Sequence, residues 1–428
     1  VQEAASGSVN SSAGNVLIAG TTVTDVAGAA NSTTGNVTIG SVTSSTTVEG
    51  TSALTAGQQV IILGIPLTVA ANSTLTGNNG ISVTSGGDAT IAGTLSGGAG
   101  SANLNAAGAM MVAGGSVAGA TGVTIVGVNS TEVDGAANSS GGLVTIGNAA
   151  SSAPVTLGSS GTVTAQSVKI NGAANVTVAG VVNSVGDALV SGSNVIETAT
   201  GSVNSSNGNV LVAGTTVTDV AGAANSTLGN VTIGSVTSNT IAKGTSALQA
   251  GQQVIVLGIP VTVAASSILS GSNGISVASG GDATIAGTLR GGSGSATLNA
   301  VGKMTLTSSG SVRSAGNVTV AGAGATAVTG AVDSVAAVAT IGDIHSDTTI
   351  DSNANLHGGI KVVILGKNAA PAAPAAPAAP TASVTPAAIL ASYPIDETLL
   401  NEVIADAEGW LTTPIDNVKK RSSYINSR

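Results

Sequence analysis

Gln58-Gln59-Val60-Ile61-Ile62-Leu63-Gly64-Ile65-Pro66-Leu67-Thr68-Val69-Ala70-Ala71 returns almost unchanged as Gln252-Gln253-Val254-Ile255-Val256-Leu257-Gly258-Ile259-Pro260-Val261-Thr262-Val263-Ala264-Ala265, and a shorter echo stands at Val362-Val363-Ile364-Leu365-Gly366. The copies are rich in β-branched residues, which lose rotamer freedom in a helix and pack well on a pleated surface. Each is too short to cross a bilayer, which takes about 20 apolar residues. Each carries a Gly, and two carry a Pro as well. The stretch therefore predicts buried strands that turn a corner inside a repetitive β structure.

The composition points the same way. Among 428 residues there are 61 Gly, only three aromatic side chains, no Phe and no Cys. Without large space-filling aromatics, burial must come from many small Val, Ile, Leu, Ala and Thr contacts repeated along an extended object. Charged residues make up 7% and hydrophobic ones 42%, the reverse of the balance that keeps a chain disordered. The net charge is −9, and the basic residues before Lys419 stand singly. Phosphate recognition needs clustered Lys and Arg, so nucleic acid is not an expected partner. No run of apolar residues is long enough for a transmembrane helix, and no basic start with an apolar core precedes Val1, so any export signal is expected to have been removed. The lack of Cys fits an exported bacterial surface protein that manages without disulfides, and equally a cytosolic protein.

Shifted by 194 positions, residues 7–106 align with residues 201–300 without a gap, and roughly four in five are identical, the mark of an internal duplication. Looser copies begin at Gly115 and Gly310, which gives four related modules over residues 1–367, at about 7–114, 115–200, 201–309 and 310–366. Within a module, Val16-Leu17-Ile18, Val37-Thr38-Ile39 and Val60-Ile61-Ile62 recur roughly every 20 residues, separated by Gly, Asn, Ser and Thr. The Gly, Ser, Thr and Asn content forbids helix, and alternation as in Val37-x-Ile39 and Ile81-x-Val83 predicts strands. A parallel β-helix stacks such units, each coil pairing with the next at about 4.8 Å, so about eighteen coils predict a rod on the order of 85 Å long. Thr21-Thr22-Val23-Thr24 and Thr215-Thr216-Val217-Thr218 are expected to form solvated outward ladders. The rod has two open ends, which invite edge-to-edge association unless they are capped.

At Lys367 the pattern stops. Residues 368–386 form an Ala/Pro-rich linker, with Pro371, Pro374, Pro377 and Pro380 spaced by three, which favours an extended polyproline II spacer. Residues 387–428 hold all three aromatics, Tyr393, Trp410 and Tyr424. Within them residues 395–408 predict a short helix, with Leu399, Leu400, Val403, Ile404, Ala407 and Leu411 at helical spacing and Gly409 at its end. So short a helix is marginal alone, so its apolar stripe is expected to dock on something.

The Gly-Asn-Val units at 14–20, 208–214 and 316–322, with Gly-Gly-Asp-Ala-Thr-Ile-Ala-Gly-Thr-Leu at 86–95 and 280–289, resemble the filamentous-haemagglutinin-like exoproteins of bacterial two-partner secretion. The resemblance covers about residues 7–366. It implies an all-β, right-handed parallel β-helix, export across the outer membrane, and roles in adhesion, aggregation or biofilm.

Chemistry-bearing residues are few. Asp343, His345 and Asp347 alternate, which on a strand would put two carboxylates and an imidazole on one face, the arrangement of a metal or acid–base cluster; the alternative is a solvated face. Asp88 and Asp282, in identical Gly-Gly-Asp turns, have the choice between calcium or lyase chemistry and simple turn capping, and capping is expected because Lys, Arg and His are too scarce for a lyase. Asn-x-Ser/Thr sites, among them Asn10, Asn31, Asn204 and Asn225, fit turn chemistry as well as glycosylation. No catalytic residue, metal or cofactor is assigned. The expected function is a non-enzymatic extracellular protein that forms or joins a bacterial surface filament or biofilm matrix as a homo-polymer. Its assembly residues are expected to be Val362, Ile364, Leu365, Tyr393, Leu399, Leu400, Val403, Ile404, Trp410, Leu411 and Tyr424. The alternative is an adhesin fragment that binds a host or polysaccharide ligand through the flank of the rod.

Overall fold

The computed structural model describes residues 1–367 apart from Thr51 and Thr245. These residues wind into an all-β parallel solenoid with three short strands per turn, and seventeen strands stack on each of its three faces. On the first face Val16–Ile18 pairs with Val37–Gly40, which pairs with Gln59–Gly64 and then with Gly80–Ser85. The second face stacks Val23–Val26, Ser45–Val48 and Leu67–Val69 in the same way. The third stacks Ala29–Ser32, Ala53–Ala56 and Thr74–Gly77. One turn takes from 19 residues, as from Thr162 to Val181, to 26, as from Ala136 to Thr162. The ladders run through residues 115, 201 and 310, where the sequence modules join. The Ala/Pro linker and the helix expected over residues 395–408 lie outside the described residues.

Alternation along each strand sends every second side chain inward, and register then places like on like. Leu54, Leu75 and Leu95 form one buried column and Leu248, Leu269 and Leu289 another. The repeated stretch supplies Val60, Ile62, Leu67 and Val69 to this core and turns its corner at Ile65-Pro66, a cis peptide bond like Ile259-Pro260 in the second copy. The next coil accommodates that corner. A Cβ on Gly86 would lie 2.5 Å from Ile65 Cδ1, and one on Gly280 would lie 2.7 Å from Ile259 Cδ1, so the Gly-Gly-Asp turn is the floor on which the Ile-Pro corner rests.

A second column of small residues sits at the corner before the third face. A Cβ on Gly135 would run into the carbonyl of Gly115, and one on Gly330 into that of Gly310. In some coils a buried Ser takes this place and turns its hydroxyl onto the coil before: Ser73 Oγ donates to the Val48 carbonyl at 3.2 Å and Ser267 Oγ to the Ala242 carbonyl at 3.1 Å.

The expected threonine ladders are corrected in part. Thr21 and Thr22 are exposed, but alternation sends Val23 out and Thr24 in, where it is fully buried, as is Thr218. A buried hydroxyl needs a partner. Thr24 Oγ1 accepts the Gly20 amide at 2.9 Å and lies 3.3 Å from Ser44 Oγ in the next coil, and Thr218 repeats this with Gly214 and Ser238. On the outside of the third face, asparagines form the ladder instead: Asn31 donates to Asn10 at 2.9 Å, and Asn225 to Asn204 at 3.0 Å.

Gly135→Val places a branched side chain against a backbone that cannot retreat. It should destabilise the solenoid by about 1–3 kcal/mol, whereas Thr124→Val on the outside of the same region should change it by less than about 0.5 kcal/mol. Paired thermal melts of the two variants check this; equal melting temperatures would exclude the glycine column as a packing constraint.

Candidate assembly surface at the ends of the solenoid

The ladders stop at two ends. At one, Gln2–Glu3, Ser8–Ser11 and Val16–Ile18 are each paired on one side only among the described residues. At the other, Asp347–Ile350, Asn355–Gly358 and Lys361–Ile364 are likewise paired on one side among the described residues. Such rows of free N–H and C=O groups are templates for further strands. The last coil also uncovers the apolar interior. Val362 is 36% and Ile364 45% exposed, Leu365 is half-buried just beyond, and Ile350 and Leu356 are only partly covered. The hydroxyl of Thr348 is buried without a partner among the described residues. One module earlier in the same column, Thr218 finds its partner on the following coil. Of the expected assembly residues, the structure thus brings Val362, Ile364 and Leu365 together at one end. Tyr393, Leu399, Leu400, Val403, Ile404, Trp410, Leu411 and Tyr424 lie outside the described residues.

One feature of the interior was not foreseen. The inward column at the end of the second face is Val26, Val48, Val69 and Ile91 in successive coils, but in two coils it is a glutamate. Glu3 occupies it in the first coil, beneath Val26, and Glu197 occupies it between Val178 and Val220. Shifted by 194 positions, these are the same residue. Both lie in a cradle of glycines: a Cβ on Gly28 would be 3.0 Å from Glu3 Oε1, and one on Gly222 would be 2.8 Å from Glu197 Oε1. Neither carboxyl has a hydrogen-bond partner for either oxygen among the described residues.

Glu197 is 1% exposed. Burial pushes its carboxyl up to about 8, against a smaller opposing pull from the Ala223 amide, which is itself donated to the Gly201 carbonyl at 3.1 Å. Glu3, on the open end, is raised by the same cause. Sequence inspection could have found the pair by carrying the 194-residue comparison back from Gly7 to Val1.

The alternating Asp343, His345 and Asp347 do not share a strand face. Asp343 and His345 lie in the turn before the strand that Asp347 opens, and Asp343 Oδ1 accepts the His345 amide at 2.7 Å, because a short polar side chain before a tight turn satisfies the turn's own backbone. No group of three or more His, Cys, Asp or Glu among the described residues could hold a metal. Asp88 and Asp282 cap the coil that follows them, accepting the amides of Ala109 and Lys303 at 2.8 Å each.

The register also assembles a charged column that is invisible in linear sequence. On the outside of the third face Arg290 pairs with Arg313, Arg313 with Asp333 and Asp333 with His357. Arg313 Nε lies 3.2 Å and His357 Nδ1 2.8 Å from the two oxygens of Asp333. Pairs this exposed contribute at most about 1 kcal/mol.

Because its folded-state value is raised, the Glu197 carboxyl favours the fold fully below the ordinary carboxylate value of 4.5, less as pH rises from there, and not at all above about 8. Glu197→Gln should therefore melt close to the native chain at pH 4.5 and progressively above it up to pH 8. A melting difference that stays constant across this range would refute the buried carboxyl.

Comparison with protein families, with characterised proteins and with solved structures finds no match to this chain.

Proposed function

We propose that this protein is a non-enzymatic structural element of the bacterial cell surface, a β-solenoid that forms or joins an extracellular filament or biofilm matrix by head-to-tail association. The observation that carries this reading is the state of the two ends. Each presents three strands with one free edge, and the last coil leaves Val362 and Ile364 uncovered. Apolar surface of this kind is stabilised by removal from water at roughly 25 cal/mol per Å². Composition supports the reading: scarce charge, no Cys and stacked small residues suit a repetitive exported structure better than a catalytic cleft. The resemblance of the Gly-Asn-Val units to filamentous-haemagglutinin-like exoproteins supports the extracellular setting. In this reading residues 387–428 dock on a neighbouring copy and residues 368–386 set their reach.

A second reading, an adhesin that binds an anionic polysaccharide on its flank, is favoured by the Arg290, Arg313, Asp333 and His357 column. It expects retention on an anionic polysaccharide matrix that falls severalfold in an Arg290→Ala, Arg313→Ala double variant.

Electron microscopy of the purified chain separates the readings. The structural one expects long uniform filaments, and the adhesin one isolated rods. Removal of residues 371–428 should abolish filaments while leaving the β-rich circular dichroism spectrum intact; filaments of normal length from the shortened chain would exclude tail docking.

A further inference from the structure

The chain contains an internal duplicate of its own first coil. Val1-Gln2-Glu3 recurs as Val195-Ile196-Glu197, Gly7-Ser8-Val9-Asn10-Ser11 as Gly201-Ser202-Val203-Asn204-Ser205, and Gly14-Asn15-Val16-Leu17 as Gly208-Asn209-Val210-Leu211. In the duplicate, each strand is seated on a strand of the coil before. Asn194 to Glu197 lie on Asn175–Val178, Ser202–Ser205 on Val181–Ser184, and Val210 to Ala213 on Ala188 to Ser191. Among the described residues, Gln2–Glu3, Ser8–Ser11 and Val16–Ile18 of the first coil pair only with the coil that follows. The last coil has three open strands above it, Asp347–Ile350, Asn355–Gly358 and Lys361–Ile364. Both end coils run from second face to third to first, so their open edges agree in number, order and direction.

We infer that copies of this chain join with these six strands in register, Gln2–Glu3 on Asp347–Ile350, Ser8–Ser11 on Asn355–Gly358 and Val16–Ile18 on Lys361–Ile364, and that the Glu3 carboxyl takes up a proton as the joint closes. The inference rests on the head-to-tail reading above and deepens it. Extending the ladders by one step sets Val9 over Leu356, Val16 over Val362 and Ile18 over Ile364. The same step sets Glu3 over Ile350, as Glu197 sits over Val178. Val9 is 39% exposed, and Leu356, Val362 and Ile364 are uncovered to similar or smaller degrees, so the joint removes apolar surface from both partners.

Glu3 would then hold the environment of Glu197, buried in an apolar column with no partner for either oxygen. An isolated carboxylate is not tolerated there, and the neutral acid is. On its own side the charged groups near Glu3 are the Val1 ammonium, donated to the Val23 carbonyl at 2.7 Å, and Asp25 on the outside of the next strand. Across the joint lie Asp347 and Asp351 on the second face and its corner, with Asp343 and His345 before it; His357 stands on the third face, and Lys361 and Lys367 on and after the first. The lysines lie on a different face from Glu3, the carboxylates of its own face are acidic neighbours, and the Val1 ammonium is held on the Val23 carbonyl, so the proton is what neutralises Glu3.

The test uses the full chain, with association measured by sedimentation velocity from pH 5 to pH 9. One proton taken up per joint makes the association constant fall about tenfold for each pH unit where Glu3 is ionised at a free end but neutral in the joint. Glu3→Gln keeps the shape and removes the proton, so it should assemble at pH 8 as the native chain does at pH 5. A native chain that stays single at every pH overturns head-to-tail assembly itself. A native chain that assembles with a pH response that Glu3→Gln retains overturns the proton uptake alone. The register has its own readout. The chain has no Cys, and facing positions on neighbouring strands are within disulfide reach. Val9→Cys copies mixed with Leu356→Cys copies should form a cross-linked pair under a mild oxidant. Filaments that form without that cross-link overturn the proposed seating.

Discussion

Every position in this solenoid must tolerate a near copy of itself about 4.8 Å away along the axis. That single spacing decides which residues are admitted where. Branched aliphatics stack inside because each fills the gap left by the one below, as in Leu54, Leu75 and Leu95. Glycine holds the corner before the third face because the carbonyl of the previous coil already occupies the room a Cβ would need. Inward hydroxyls are accommodated where the adjacent coil completes their hydrogen bonds, as Ser44 does for Thr24. The scarcity of aromatics and charges follows from the same spacing, since a ring or a like charge repeated every coil has nowhere to go.

What the sequence made legible was whatever repeats. The strand period, the parallel stacking and the inward alternation of Val37 and Ile39 or Ile81 and Val83 were all readable, because repetition and alternation are written in linear order. What depends on register was not. The inward turn of Thr24 needed the phase of one strand to be known to a single residue, and Thr-rich composition on a strand argues equally for either face. The Arg290 to His357 column joins residues a coil apart at successive spacings of 23, 20 and 24, so no fixed period aligns them. Alternation in Asp343, His345 and Asp347 mimicked a strand, but the turn before Asp347 breaks the pattern and spends Asp343 on its own backbone.

The two glutamates are the exceptions that the stacking rule makes conspicuous. Elsewhere their column is aliphatic, so a carboxyl at this position breaks a local rule without a compensating partner. Its cradle of glycines exists in other coils too, where it simply admits the neighbouring backbone. The cradle therefore permits the glutamate sterically but does not solvate it. Only the protonation state can reconcile the side chain with its place, and this makes the column sensitive to pH at two points of the chain and nowhere else along it.

The duplication also bears on how an end can be a joint. Passing from Val16 to Val210 takes the chain from one copy of a coil to the next, and the coil beneath Val210 is reached through Ala188–Glu197, one of two strands that run round the corner from first face to second without a break. That passage is a covalent joint between two repeats, closed over a glutamate. The first coil of the chain carries the same strands, the same glycines and the same glutamate as the upper half of that passage. A joint between separate copies therefore needs no surface that the chain has not already used internally, only the apolar column of Ile350, Leu356, Val362 and Ile364 in place of Val178, Val182, Ala188 and Val190. The substituted side chains are as large or larger in every case, so the seat differs from the internal one by a tighter fill and not by a missing contact.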